Sequence, residues 1–302
     1  MQPAISVVTP SFNQGEFLER TIRSVLDQQI PDLEYVVMDG GSTDQSVAVL
    51  RRFESRLHWV SEKDRGQAHA VNKGLAATRG DIIGWLNSDD IYYPGAVRAV
   101  LDVFQQCPDV DLVYGNAHHI DVNDQILEVY PTEPWNPQRL TERCYLCQPA
   151  VFFRRRTVEQ HGLLNEKLQY CMDYEFWLRL AQADVRAVHL PVFLAGSRLY
   201  ATNKTLGARV AVHREFVAML SERLGQVPGR WLWNYAFAVT RADRAPKLLL
   251  PFWLPALIWT AVAASSRWNR SVSPRLAADL AGKITDRLVT RQPLDRSATH
   301  VG

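Results

Sequence analysis

The sequence predicts an α/β protein built on a mainly parallel sheet flanked by helices. Short apolar runs alternate with helix-like apolar periodicity through residues 1–115, which is the pattern of repeated strand–helix units. Polar or acidic residues directly follow four of these apolar runs. The 302 residues are 47% hydrophobic and 22% charged, as expected for a folded globular chain.

Each predicted element rests on a local signal. Leu18, Ile22 and Val25 have helical spacing, Ser42–Gln45 has the pattern of a capping box, and Pro94 suits the first position of a helix. The predicted strands are 5–9, 34–39, 57–60, 82–86, 111–115 and 150–153, and the predicted helices are 18–26, 47–53, 66–78, 94–106 and 172–182.

The polar residues that follow the first four strands predict a binding site. They are Pro10–Asn13, Asp39–Ser42, Glu62–Asp64 and the adjacent pair Asp89 and Asp90. In open parallel sheets the carboxyl ends of the strands meet at one edge, and ligands bind there. We therefore expect these four segments to lie close together.

The acidic pair Asp89 and Asp90 has two interpretations. Two adjacent carboxylates at the end of an apolar strand suit a divalent cation such as Mg²⁺ or Mn²⁺, which would also hold substrate phosphates. The alternative is a solvated turn, because Asp-Asp before Tyr-Tyr-Pro-Gly is also favourable turn and helix-start chemistry.

Two other acids are also ambiguous on the residues alone. Asp39, before two glycines, is suited to accept a hydrogen bond from a base or ribose, or it forms part of a tight turn. Asp173 stands near the start of a predicted helix, where it is either a helix cap or an ionised general base.

Several classes of protein are disfavoured. The loop 10–15 lacks the G-x-G-x-x-G pattern of dinucleotide-binding folds, and the sequence contains no phosphate-binding P-loop. A net charge of +2 argues against a nucleic-acid partner. Cys144 and Cys147 have CxxC spacing without a second pair, so a structural role is favoured over zinc. The first strand begins almost at once without a signal peptide, which predicts a cytoplasmic location.

The C-terminal part, 206–302, predicts a helical extension. Its apolar run 248–264 contains two prolines and is flanked by Arg and Lys. A buried hairpin or core helix and a peripheral contact with the cytoplasmic face of a membrane are both open, while a transmembrane span is least favoured.

Several motifs in the same order resemble the inverting family 2 glycosyltransferases of GT-A fold. They are Val8–Asn13, Val37–Asp44, Glu62–Gly66 with Ala70–Gly74, Arg79–Asp81, Asn87–Asp90 and Met172–Glu175. The resemblance covers about residues 4–205 and implies a Rossmann-like GT-A domain over 1–205. Its nucleotide-sugar half would be about 1–115 and its acceptor half about 116–205.

The resemblance also implies roles for individual residues. On the nucleotide side, Pro10, Ser11 and Asn13 would line the pocket, and Asp39 would bind the base with help from Asp64. Asp89 would contact the ribose or sugar, and Asp90 would ligate Mn²⁺ or Mg²⁺. Asp173 would be the general base. We also place Glu175 and Arg198 at the acceptor or diphosphate, with a surface loop as the alternative for Arg198. Many members have Asp where this chain has Asn87.

The implied reaction moves a sugar, commonly from a UDP-linked donor, to a hydroxyl of a saccharide or lipid-linked saccharide. Polysaccharide or O-antigen assembly is the expected setting. Two alternatives are a degenerate member that acts as a nucleotide-sugar-binding or scaffold subunit, and a sugar-nucleotide nucleotidyltransferase. The latter would need a Gly-rich basic loop after the first strand, which Pro10–Gly15 lacks.

Overall fold

A computed structural model describes residues 4–242, 250–272 and 276. The chain divides into two compact units. The first consists of Met1–Leu140 and Cys144–Tyr200, and the second of Thr141–Arg143 and Ala201–Val301. The chain passes from the first unit to the second directly after Tyr200, close to the end of the predicted catalytic domain at residue 205.

The first unit contains all strands of the described chain. They are β1 (Ile5–Ser11), β2 (Glu34–Asp39), β3 (His58–Ser61), β4 (Ile82–Trp85), β5 (Ile91–Tyr92), β6 (Leu112–Ile120), β7 (Ile126–Val129), β8 (Val151–Arg154) and β9 (Ala187–Arg198). The helices between them are α1 (Gly15–Leu26), α2 (Ser46–Arg51), α3 (Gln67–Ala77), α4 (Ala96–Gln106), α5 (Pro137–Glu142), α6 (Arg155–His161) and α7 (Met172–Gln182), with a 3₁₀ turn at Gln148–Ala150.

The strands form a single mixed sheet in the order β3-β2-β1-β4-β8-β6-β9-β5, with β7 paired to β6. The pairs among the first four strands are all parallel, as the alternating pattern predicted. Beyond β4, the pairs β4–β8, β8–β6, β6–β7 and β9–β5 are antiparallel. Strands β6 and β9 are parallel. The predicted parallel pairing is therefore found among the first four strands, whereas antiparallel pairs among the later strands make the whole sheet mixed.

Helices cover the sheet through apolar faces with helical spacing. Leu18, Ile22 and Val25 of α1 are buried in the main core, as predicted. Helix α3 packs tightly on β1 because of a glycine. A Cβ added at Gly74 would lie 2.3 Å from Cγ1 of Val8. The small side chains in α3 thus permit a close helix–sheet contact.

Two predicted helix starts are wrong. Helix α2 begins at Ser46 and is not opened by a capping box, because Ser42 donates its hydroxyl to the Asp39 carboxylate instead. Helix α4 begins at Ala96 after Gly95, which has a left-handed φ of 79°. Pro94 therefore lies in the turn before the helix rather than at its first position.

The second unit is helical in its described part, with α8 (Lys204–Gly207), α9 (Arg209–Leu224), α10 (Gly229–Thr240) and α11 (Leu250–Asn269). The stretch 250–264 of the predicted apolar run is part of one helix that contains Pro255, not a hairpin. Residues 248 and 249 of that run lie outside the described residues. Among the helices of the described ranges, none has the length and apolar character needed to cross a bilayer.

Candidate active site

The loops after β1 and β2 are tied together by Asn13. This residue has a left-handed φ of 53°. Its side-chain oxygen accepts the Thr43 amide hydrogen at 2.9 Å, and its own amide donates to the Ser42 hydroxyl at 2.7 Å. The Gly40 amide donates to the Ser11 carbonyl at 2.8 Å, while Pro10 and Ser11 are themselves buried in β1. The structure thus brings the first two predicted segments together.

The carboxylate of Asp39 is occupied by its own loop. One oxygen accepts hydrogen bonds from the Gly41 amide at 3.2 Å, the Ser42 amide at 2.9 Å and the Ser61 hydroxyl at 2.6 Å. The other accepts the Ser42 hydroxyl at 2.5 Å. A carboxylate has about four acceptor sites. Asp39 therefore shapes the pocket loop, and only its second oxygen, which accepts a single hydrogen bond, keeps an acceptor position for a further donor.

The loop after β3 joins the same site through Asp64. One of its oxygens accepts the Gly66 amide hydrogen at 2.8 Å, at the start of α3. A Cβ added at Gly40 would lie 2.8 Å from the other oxygen and 3.3 Å from the ring of Phe12. Phe12 is 59% exposed, which is unusual for a large apolar ring. Three strand ends therefore converge as predicted, and they surround an aromatic ring that the sequence argument missed.

Asp90 lies behind Asp89 in the loop after β4. Asp90 is buried, and its carboxylate accepts the Arg198 amide hydrogen at 2.8 Å and the Asn87 side-chain amide at 3.3 Å. Asp89 is only half-buried, and one of its oxygens accepts the Tyr200 hydroxyl at 2.9 Å. Asp89 is thus the more accessible carboxylate of the two.

Electrostatics in this loop favour a positively charged ligand. Burial raises the pKa of the Asp90 carboxyl well above its usual range, and the neighbouring charge of Asp89 raises it further. Burial also raises the pKa of Asp89. Two adjacent carboxyls that resist ionisation would be stabilised in their charged form by a cation placed between or in front of them.

Asn87 organises the base of this loop. Its oxygen accepts hydrogen bonds from Gln67 at 2.7 Å and from the Trp85 indole at 3.0 Å. Its amide nitrogen donates to Gln148 at 2.8 Å. Asn87 therefore connects the acidic loop to the start of α3 and to the 3₁₀ turn, a network that needs an amide and would not form with a carboxylate.

Tyr200 and Gln14 are site residues that the sequence argument missed or left unassigned. Tyr200 donates its hydroxyl to Asp89 and accepts the Gln14 side-chain amide at 2.9 Å. Its ring packs 5.0 Å from that of Phe17. These contacts join the start of α1, the end of β9 and the acidic loop, so Tyr200 fixes the orientation of Asp89.

Arg198 is buried rather than exposed to a diphosphate or acceptor. Its guanidinium donates to the backbone carbonyls of Asp89 at 2.7 Å and Asp121 at 2.6 Å, and it forms an ion pair with Asp124 at 2.5 Å. It also lies 4.8 Å from the Phe17 ring centroid. The side chain supports the acidic loop from behind, so neither the surface loop nor the direct ligand contact considered above describes its position.

Asp173 is the second residue of α7 and is buried. Its position relative to the acidic loop is indicated by the buried thiol of Cys147. Burial chiefly raises the pKa of this thiol, and the charges of Asp90, Cys144 and Asp173 raise it further. Asp90 and Asp173 are thus both within electrostatic reach of one sulfur atom.

Glu175 is buried two residues after Asp173 in the same helix turn, and it forms an ion pair inside the protein. It pairs with Arg179 at 3.0 Å. Arg179 also donates to the backbone carbonyls of Gly162 and Leu163, both at 2.9 Å. Glu175 therefore fixes the loop between α6 and α7 through Arg179.

The acidic loop suits a cation that is shared with a phosphate ligand. Within the described ranges no group of three or more His, Cys, Asp or Glu side chains is arranged to hold a metal ion. Mg²⁺ is commonly bound by only one or two protein carboxylates together with substrate phosphates. The pair Asp89 and Asp90 matches that donor set, whereas a structural metal site would need more protein ligands.

The sequence itself shows the family to which this site belongs. Residues 6–162 match the family described as glycosyl transferase family 2, and they make up more than half of the chain. The chain belongs to glycosyl transferase family 2. The resemblance found in its motifs is thereby confirmed.

Curated relatives match about 60% of the chain. The chain is 29% identical over 184 residues to a chondroitin synthase of Escherichia coli, which is 60% of this chain and 27% of that protein. It is 31% identical over 195 residues to the O-antigen biosynthesis protein RfbC of Myxococcus xanthus, 63% of this chain and 15% of that protein. The chain thus spans well under two thirds of the length of these relatives.

Solved structures confirm the GT-A fold. TarS 1-349 of S. aureus in complex with UDP-GlcNAc has a TM-score of 0.62 at 14% identity and covers 99% of this chain and 90% of that one. The mannosyltransferase PcManGT of Pyrobaculum calidifontis, in complex with GDP-Man and Mn²⁺, has a TM-score of 0.60 at 21% identity and covers 99% of this chain and 84% of that one. At these identities the similarity concerns the fold alone.

Proposed function

We propose that this chain transfers a sugar from a nucleoside-diphosphate sugar, with UDP as the expected nucleotide, to a hydroxyl of a saccharide or lipid-linked saccharide. One observation carries the proposal: in a chain of glycosyl transferase family 2, the adjacent carboxylates of Asp89 and Asp90 follow β4 at the sheet edge where the loops after β1, β2 and β3 converge. Asp173 supplies a further buried acid in the first turn of α7. A carboxylate pair suited to a cation and a separate acid are the two components that an inverting displacement requires.

The converging loops supply the donor side of the proposed site. The exposed ring of Phe12 offers a surface on which a base can stack, next to Gly40 and Asp64. In this proposal Asp39 acts mainly by holding the loop that surrounds the base. Asn13 connects the same loop to the end of β1.

Asp89 and Asp90 would hold the divalent cation and the diphosphate together. We propose that Asp89 presents the carboxylate that the cation or donor reaches first, because Asp90 is more deeply buried and accepts two hydrogen bonds from the protein. A cation bound there would supply charge neutralisation for the departing diphosphate. Arg198 and Tyr200 would hold the loop in place for this purpose.

Asp173 would act as the general base. Its carboxylate would take the proton from the acceptor hydroxyl while the acceptor oxygen forms its bond to the anomeric carbon. The bond from that carbon to the diphosphate oxygen breaks in the same step, and the nucleoside diphosphate leaves with the bonding electrons. Attack from the side opposite the leaving group inverts the anomeric configuration, and no protein nucleophile is needed.

The biological setting is proposed from the relatives. A chondroitin synthase and an O-antigen biosynthesis protein are both named among them. We propose a role in polysaccharide or O-antigen type assembly at the cytoplasmic face of a membrane, with the apolar C-terminal run as a peripheral contact. A lipid-linked acceptor would fit that location.

The test is release of nucleoside diphosphate from a panel of UDP- and GDP-linked sugars, with and without Mn²⁺ and with saccharide acceptors. We expect one donor to react in a cation-dependent manner, and Asp90→Ala and Asp89→Asn each to abolish most of the turnover. Thermal shift with the same donors reports binding separately, because a ligand of the folded state raises stability with its occupancy. If a donor binds but no sugar is transferred in any of these assays, the chain is instead a binding or scaffold subunit.

A further inference from the structure

Helix α11 of the second unit has two opposite faces. Leu257, Ala261 and Ala264 are buried, and they recur at helical spacing on the side that packs within this unit. The opposite side carries an apolar face composed of Phe252, Pro255, Ala256, Trp259 and Ala263, all exposed. The helix is thus apolar on both sides, and only one side is covered.

The exposed apolar face is dominated by two aromatic rings. Phe252 is 81% exposed and Trp259 is 75% exposed, the highest values among the large apolar side chains described as exposed. They are seven residues apart, which places both on the same side of the helix about 10 Å apart. Exposed aromatic residues aligned in this way mark an interaction surface rather than isolated surface residues.

The charges beside this face favour an anionic partner. Residues 250–272 contain Arg267 and Arg270 and no Asp or Glu, and both arginines are exposed. The guanidinium of Arg267 lies 5.4 Å from the Trp268 ring centroid. Over 241–272 the sequence has five basic residues and one acidic residue. An aromatic apolar surface beside basic residues suits the headgroup layer of an anionic bilayer.

We propose that the apolar face of α11 binds the surface of an anionic lipid bilayer, with the helix lying in the interface rather than crossing it. Phe252 and Trp259 insert below the headgroups, and Arg267 and Arg270 contact lipid phosphates. An interfacial position agrees with the absence of a spanning helix in the described ranges. This lipid contact rests on the peripheral membrane contact of the proposed function and specifies its lipid and residues. Its test needs neither the donor, the acceptor nor the transfer reaction, so lipid binding and sugar transfer can fail separately.

The test is co-sedimentation of the full chain with phosphatidylcholine vesicles, with and without phosphatidylglycerol. We expect tighter binding to the anionic vesicles, weakened by salt. Phe252→Ser with Trp259→Ser should reduce the partition coefficient about tenfold or more, since burying each ring in the interface accounts for a large part of the binding. Arg267→Gln with Arg270→Gln should remove much of the preference for phosphatidylglycerol.

The matched control is Ile126→Ser with Leu127→Ser. These side chains are 60% and 54% exposed on β7 of the first unit, so the control removes similar exposed apolar surface elsewhere. Circular dichroism of each variant checks that it is folded. The proposal is overturned if the wild type does not bind vesicles, or if the Phe252 and Trp259 variant binds them as the wild type does. It is also overturned if the wild type is a dimer and that variant is a monomer, because the face would then bind a second copy of the chain.

Discussion

Replacement of Asp39 by Ala should destabilise the first unit strongly, although the sequence argument gave this residue a ligand-binding role. The substitution removes the acceptor of four hydrogen bonds from Gly41, Ser42 and Ser61. Each hydrogen bond to a charged group contributes about 1.5–3 kcal/mol net when buried. Because Gly41 and Ser42 are half-exposed, water replaces part of this loss, so we expect a decrease of about 3–5 kcal/mol in the free energy of unfolding.

Urea unfolding followed by circular dichroism measures the effect. Ser61→Ala is the matched control because it removes only one of the four hydrogen bonds, and we expect it to cost about 1 kcal/mol. In a domain of this size that corresponds to a fall of about 2–4 °C in Tm for the control and several times more for Asp39→Ala. If Asp39→Ala is no less stable than Ser61→Ala, the carboxylate does not hold this loop together.

Three further predictions concern separate parts of the first unit. Tyr200→Phe removes the hydroxyl bonded to Asp89 and Gln14 but keeps the ring, so we expect a loss of about 1–2 kcal/mol in the free energy of unfolding and about a tenfold higher donor KM or cation requirement in steady-state kinetics. Gly74→Ala places a methyl group 2.3 Å from Val8 and should destabilise the fold by about 1–3 kcal/mol in urea unfolding. Burial lowers the pKa of His119 to about 4, whereas in the unfolded chain this side chain has its usual pKa of about 6.5. Between these two values the unfolded chain therefore binds more protons at His119 than the folded chain does. The contribution of His119 to the free energy of unfolding should therefore be complete above about pH 6.5 and decrease as the pH falls toward 4. His119→Gln should make the free energy of unfolding less dependent on pH in this range, as measured by urea titrations at several pH values.

Controls for these predictions lie in the same chain. Tyr93→Phe removes a hydroxyl that contacts His118 rather than the acidic loop, so donor KM should not change. Gly207→Ala adds a methyl group with its nearest neighbour 4.0 Å away and should leave stability within about 0.5 kcal/mol of the wild type. Equal kinetics for Tyr200→Phe and the wild type, no loss of stability for Gly74→Ala, or a pH profile for His119→Gln parallel to that of the wild type would each contradict the corresponding argument.

The sequence predicted the N-terminal half of the fold well because its signals are local. Strand β2 and helix α7 have the predicted bounds, and the polar segments after the first four strands fall at one edge of a parallel sheet as the periodicity required. The antiparallel pairs of β8, β7 and β5 were not predicted. Strand direction depends on pairing between distant segments, and alternating apolar residues are the same in either direction.

The sequence predicted which segments lie at the candidate site, but not which of their side chains are held by contacts inside the protein. Arg198 and Glu175 are in the expected part of the chain, yet both side chains are occupied by contacts inside the protein. The bond of Gln14 to Tyr200 joins residues 186 positions apart and leaves no local pattern. Phe12 had a usable signal, because a large ring in a polar loop after a strand suggests a ligand contact.

The central claim is that Asp173 removes the acceptor proton at a site where the donor is held by other residues. The most direct test measures donor affinity and turnover for wild type and Asp173→Asn with the donor that reacts. We expect Asp173→Asn to bind the donor as the wild type does, by thermal shift or calorimetry, and to have a kcat about 10²–10⁴-fold lower. Turnover by Asp173→Asn at the wild-type rate would contradict it, as would a loss of turnover that is fully explained by lost donor binding.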